Sequence, residues 1–147
     1  MAKKVGLSCA LYYNTGTFAV PVWTEIDNAR DVTLSLEAGE ADASTRGSGG
    51  WRETIQSLKD AGIEFEMADD NTDAAFIAIR TAFFNGTSID ALALDGDSGT
   101  SGSQGLRIIA AVSAFSRNEP LEEVVTESIT LKPTPNSDSV PVWFTVP

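Results

Sequence analysis

The sequence predicts a mainly β protein, an antiparallel β-sandwich or barrel with one flanking α-helix and extended termini. Three observations carry this. Asp31–Glu37 alternates cleanly, with Val32, Leu34 and Leu36 on one side and Thr33, Ser35 and Glu37 on the other, as a half-buried strand requires. Glu122–Lys132 alternates in part, with Val125, Ile129 and Leu131 sharing a parity with Glu123 and Glu127. Helical spacing is found convincingly in one place, where Phe76, Ile79 and Phe83 follow i, i+3, i+7. About seven strands and this helix, in the order β, β, β, β, α, β, β, β, describe antiparallel layers.

Taken in order, residues 1–19 read as an N-terminal arm, loosely structured over 5–19, with Asn14, Thr15 and Gly16 marking a turn. A β domain is expected over 20–132. Its first strand is Val20–Ile26, which Pro21 restricts to an edge or a strand start. The strand Asp31–Glu37 follows. Residues 38–50, from Ala38 to Gly50, lack any large apolar side chain and are expected to project as a long loop, with Gly47, Gly49 and Gly50 supplying freedom. Trp51–Leu58 and Ile63–Met67 read as a hairpin turning through Lys59, Asp60, Ala61 and Gly62.

In that hairpin Ile63, Phe65 and Met67 form one face, and Glu64 and Glu66 the other. The helix is expected over 72–85, with Thr72 as cap, Asp73 at the positive end and Gly86 as the stop; Phe76, Ile79 and Phe83 are expected to pack on the sheet. Ile89–Leu94 reads as a strand and 95–105 as a Gly/Ser-rich loop. Asp95–Gly99 resembles a piece of a calcium loop but lacks its terminal Glu. Leu106–Phe115 and Glu122–Lys132 form a long hairpin whose corner is Arg117, Asn118, Glu119 and Pro120. Residues 133–147 hold four of the six prolines and are expected to be an extended tail, in which Val140–Trp143 repeats the Val20–Trp23 sequence VPVW.

Composition limits the chemistry. Among 147 residues there is no histidine, which excludes His-based triads, His general bases and His-ligated zinc. The lone Cys9 cannot form an internal disulfide. No cofactor, metal or catalytic residue is indicated, and no apolar run approaches the ~18 residues of a membrane anchor. The opening residues lack a signal-peptide pattern, so synthesis in the cytosol is expected. With 10 basic against 21 acidic residues and a net charge of −11, tight nucleic-acid binding is disfavoured.

The acidic loop Glu40-Ala41-Asp42-Ala43-Ser44-Thr45-Arg46-Gly47 follows a regular strand. The Asn71–Gly86 helix follows a hairpin, and Ser116–Glu123 leads into the last long strand. This arrangement resembles the tail tube, or major tail, proteins of long-tailed bacteriophages over roughly residues 20–134. Their fold is similar to that of type VI secretion tube proteins. The resemblance implies a structural virion protein that is no enzyme and assembles in the host cytoplasm as stacked, hexameric rings around a tape-measure protein. It further implies contacts with tail terminator and baseplate proteins, and a conduit through which viral DNA passes without tight binding. The loop carrying Glu40, Asp42, Ser44, Thr45 and Arg46 would then touch adjacent subunits, and the termini the next ring. A minimal member, without an added surface domain after Pro147, is expected.

DNA carries one negative charge per about 1.7 Å, so an acidic wall keeps it from sticking; Glu37, Glu64 and Glu66 are expected to contribute to that wall. Other readings are a tube or baseplate component of a related secretion or phage-like particle, and a monomeric binding module stacking sugars on Trp23, Trp51 and Trp143. A two-carboxylate glycosidase is a weaker reading, because no pattern places two carboxylates across a cleft.

Overall fold

The alternating runs of the sequence assemble into one antiparallel sheet. The computed structural model describes residues 3–147. Its strands are β1 (Ala10–Asn14), β2 (Trp23–Glu25), β3 (Ala29–Asp42), β4 (Thr54–Ala68), β5 (Ser88–Leu94), β6 (Gln104–Asn118), β7 (Thr126–Pro133) and β8 (Val142–Thr145), with the helix α1 (Ala74–Asn85) between β4 and β5. The order across the sheet is β2-β1-β5-β6-β7-β4-β3, and β8 pairs with β6 beyond the end of β7. The fold is mainly β and antiparallel with a single helix, as the alternation predicts, but β2 and β3 do not pair and the sheet is not closed into a barrel.

The main core fills the space between the inner face of this sheet and α1. Ile63, Phe65 and Met67 of β4 meet Ile129 and Leu131 of β7, Ile108 and Val112 of β6, and Phe76 and Ile79 of α1. Full burial of each such side chain stabilises by about 1.5–3 kcal/mol. Gly86 stops the helix as predicted: it sits at φ 66° and its N–H reaches the Ala82 carbonyl, a conformation that costs a glycine little. Thr72 does not cap. Asp73 holds the N-cap position, and the Thr72 hydroxyl instead donates to Asp70 Oδ1 at 2.6 Å.

Five expectations about elements are corrected. Residues 10–14 are not part of a loose arm; β1 is paired on both sides, and Leu11, Tyr12 and Tyr13 are all buried because both of its faces are covered. That is why its apolar residues run consecutively instead of alternating. The turn expected at Lys59–Gly62 does not form. β4 runs straight through it because Glu37, Leu36 and Ser35 of β3 pair in unbroken register with Asp60, Ala61 and Gly62, and Gly62 is not among the glycines with positive φ. Ladder hydrogen bonds along a long partner outweigh a local turn preference.

Residues 38–42 are likewise strand and not loop, since β3 continues to Asp42 against Thr54–Lys59 with a bulge near Gly39. The corner at Arg117–Pro120 is displaced: Arg117 and Asn118 still pair with Glu127 and Thr126, and β7 begins at Thr126, four residues later than the predicted Glu122. The C-terminal tail is partly a strand. β8 pairs with Gln104–Arg107, and Phe144 and Val146 join Tyr12, Leu92, Leu94 and Trp23 in a smaller cluster on the outer face of β1 and β5. Pro141 precedes β8, where its missing N–H costs no ladder bond.

Gly105 marks the tightest approach within the sheet. A Cβ at this position would overlap the Ala93 carbonyl of β5, so only glycine allows β6 to lie this close.

Candidate functional site

Strands β3 and β4, of 14 and 15 residues, form a hairpin longer than the core beneath it. Its base is anchored by Phe65 and Met67, but from Ser35 outward to the tip and back to Asp60 every residue of the paired strands is exposed or only half-buried. Leu36 is 60% exposed, Trp51 80% and Leu58 88%, which leaves large apolar side chains in water on a two-stranded element. A lone two-stranded hairpin is marginal in water, and exposed apolar patches are characteristic of interaction surfaces. β3 is also an edge strand along its whole length, with one side of its ladder unpaired.

The residues predicted for an inter-subunit loop lie on this hairpin. Glu40 and Asp42 are paired strand residues opposite Gln56 and Thr54. The Asp42 carboxylate accepts the Ser44 N–H at 2.9 Å, which holds its pKa below the usual carboxylate range. Ser44 Oγ in turn accepts the Glu53 N–H at 2.8 Å. Thr45 precedes a short 3-10 turn, Arg46–Ser48, and its N–H donates to Ser48 Oγ at 3.0 Å. The tip is thus folded by its own hydrogen bonds and presents Arg46, Trp51 and Arg52 outward.

Glu37, Glu64 and Glu66 share the polar face of the same ribbon, opposite the core-facing Ile63, Phe65 and Met67. Asp60, paired with Glu37, extends this face. Two cations temper it: Lys132 Nζ lies 3.4 Å from Asp60, and Arg30 lies 3.9 Å from Glu66. At the expected corner, Arg117 stands 3.8 Å from Asp69 and 4.0 Å from Glu119, while Pro120 lies in the connection to β7. Of the three helix residues, Phe76 and Ile79 are buried. Phe83 is 41% exposed, and its ring meets Phe84 edge-on and Phe115 at a tilt.

Two charged residues within the sheet escaped the sequence reading. Arg107 of β6 is bound by Asp90 of β5 through two hydrogen bonds, at 3.1 and 2.6 Å, and both side chains are nearly buried. Arg107 also donates to the Phe18 carbonyl at 3.2 Å and lies over the Phe18 and Trp23 rings, so it fastens the 15–22 segment to the sheet. Trp23 is therefore packed and not free to stack a ligand. The second is Glu127 of β7, fully buried with neither carboxylate oxygen hydrogen-bonded. The available signals were a single charge within the apolar run Leu106–Val112 for Arg107 and the shared parity with Ile129 and Leu131 for Glu127. Among the described residues there is no cluster of three or more carboxylate or cysteine side chains fit to hold a metal.

The family model described as "Phage tail tube protein" matches residues 9–134. The chain belongs to the phage tail tube protein family. This is a family of structural, non-enzymatic virion proteins. No curated protein matches the chain. Among solved structures, the tube protein is similar to a chain of the virion of a native gene transfer agent particle, with a TM-score of 0.73 at 14% identity, covering 97% of this chain and 99% of the other. It is also similar to the SPP1 tail tube, at 0.67 and 16%, covering 88% and 75%. A chain of the anti-feeding prophage baseplate follows, at 0.64 and 8%, covering 99% and 98%. At these identities the likeness establishes the shared fold.

Proposed function

We propose that this tail tube subunit polymerises as stacked hexameric rings whose bore conducts the viral genome into the host. The observation that carries the reading is the β3–β4 hairpin, which exposes apolar side chains and an unpaired strand edge that only a neighbouring protein can cover. An edge joined to a different surface of the next copy is a heterologous contact, which closes into a ring when the rotation between copies divides the full turn. Sixfold closure is supported by the gene transfer agent tail, similar to this chain with a TM-score of 0.72 and refined with C6 symmetry. Rings of this kind would be built in the host cytoplasm and reside in the virion tail, around a tape-measure protein and between terminator and baseplate proteins.

The polar ribbon of Glu37, Asp60, Glu64 and Glu66 suits the bore wall. It is the outer face of the sheet, it is acidic, and it repels a polyanion instead of holding it by counterion release. Negative-stain microscopy of the purified protein at rising concentration tests the assembly. Tubes or six-lobed rings are expected; a species that stays near 15.6 kDa at every concentration would refute it. Reconstruction of such tubes with Glu64 and Glu66 on the outside would remove the acidic-bore assignment alone.

A further inference from the structure

Glu127 alone among the described acids is fully buried, and neither of its carboxylate oxygens has a hydrogen-bond partner. Removing a carboxylate from water is costly unless a partner or neutralisation offsets it. Glu127 stands on β7 opposite Met67 of β4 and Arg117 of β6. The Arg117 guanidinium is half-exposed and faces Asp69 at 3.8 Å and Glu119 at 4.0 Å. The polar side chain beside Glu127 is the Asp69 carboxyl, within hydrogen-bond reach. Two ionised carboxylates offer each other acceptors only, whereas one proton between them supplies a donor and removes a charge.

The two acids lie where three strands end together. Thr126, the first residue of β7, pairs with Ala68 of β4 on one side and Asn118 of β6 on the other. Just beyond, the Asp69 N–H donates to the Val125 carbonyl at 2.9 Å. The connection 119–125 leaves from this corner into water, with Leu121 99% and Val124 65% exposed. Its return to the sheet is therefore fastened by one backbone hydrogen bond and by the contact between Asp69 and Glu127.

We infer that Asp69 and Glu127 share one proton that acts as a latch: while held, it fastens the start of β7 to β4, and its loss opens this corner and frees the 119–125 connection. Other charged groups nearby do not replace it. Arg117 of β6 is committed to Asp69 and Glu119, Glu66 of β4 lies on the opposite face beside Arg30 at 3.9 Å, and Asp73 at the α1 N-cap acts on Tyr13 of β1. Burial first, and then Asp69, raise the Glu127 pKa from 4.5 to about 7, while Arg117 lowers it. The closed corner thus binds the proton more tightly than the open one, so closure is favoured at acid pH and weakens as pH rises through 7.

Amide hydrogen exchange of dilute, unpolymerised subunit, corrected for the intrinsic rate at each pH, tests the latch. The Asp69 amide and those of residues 126–128 should exchange by a local opening, faster than the β5 amides and insensitive to low urea, because little surface is exposed. From pH 5 to pH 8 this opening should become roughly tenfold more frequent or more, a value discounted for the water around Arg117. In Glu127→Gln the carboxamide donates to Asp69 at every pH, so the corner should stay equally protected at both. Exchange of the corner only together with β5, with the same urea dependence, would overturn the latch, as would an unchanged pH response in Glu127→Gln. Carbon NMR of the Glu127 carboxyl tests the sharing itself. Asp69→Asn removes the neighbouring charge and supplies an N–H, so Glu127 should titrate at distinctly lower pH than in the wild type. An unmoved titration would show that Glu127 is neutralised by burial alone and shares no proton.

Discussion

Replacing Glu127 by glutamine should remove a pH dependence that the wild-type subunit carries between pH 5 and 8. Glu127 is 0% exposed, pairs in register with Met67 of β4 and Arg117 of β6, and has no hydrogen-bond partner for either oxygen. Burial first, and then the Asp69 carboxylate beside it, push its pKa from 4.5 to about 7, while Arg117 pulls it down. Such a rise corresponds to about 3 kcal/mol against the ionised form at 1.36 kcal/mol per pH unit. Arg117 is half-exposed, and water at this end of the sheet screens the site, so about 2 kcal/mol is expected in practice.

The sign follows from the folded pKa lying above the unfolded one. The folded state binds the extra proton, so the associated stability is fully present below pH 4.5, is lost as pH rises through 7, and does not return above it. For a chain of this size 2 kcal/mol is roughly 4–8 °C in Tm. Thermal unfolding of dilute, unpolymerised subunit should therefore show Tm falling by about that amount from pH 5 to pH 8 in the wild type and staying nearly flat in Glu127→Gln. Glu25, raised by burial and by Asp27 and Asp97, contributes equally to both proteins and cancels in the comparison. An equal fall in both would refute the argument that Glu127 folds protonated.

Two further outcomes follow from the interior of the sheet. Gly105→Ala should destabilise the subunit by about 3 kcal/mol or prevent its folding, because the added carbon meets the Ala93 backbone, which cannot move without opening β5 from β6; urea unfolding measures it, and a loss under 1 kcal/mol would show that the strands have slack. Arg107→Met should cost about 3–5 kcal/mol by leaving the Asp90 carboxylate nearly buried without a counter-charge, held only by Asn14 Nδ2, and the double variant with Asp90→Asn should recover a large part of this; additive losses in the same unfolding assay would show that the pair is not coupled.

The local pattern was enough to name β3, β5, the inner half of β6 and the helix with its Gly86 stop, because each follows from side-chain period or from a backbone conformation that one residue accepts readily. It also carried the absence of histidine and the acidic balance, which removed most catalytic chemistry before any fold was known. Where the local signals failed, a distant partner had overruled them. Asp60-Ala61-Gly62 has turn chemistry, yet β3 offers it a continuous ladder; Leu11-Tyr12-Tyr13 has no alternation, yet both of its faces are covered by segments distant in sequence. The predicted corner at Arg117–Pro120 gave way for the same reason, since β7 pairs with Arg117 and Asn118.

The long hairpin divides the two kinds of knowledge most clearly. Its sequence lacks the large apolar residues a buried loop would need over 38–50, and that alone marked it as projecting. Only the tertiary structure showed that the projection is a paired ribbon with Leu36, Ile55 and Leu58 in water, and that the sheet does not close on itself. Alternation tells which residues share a face, because it is set by the two-residue repeat of the strand. Whether that face is covered, and by which copy of the chain, depends on how far the sheet curls before its edges meet, and no local period encodes this.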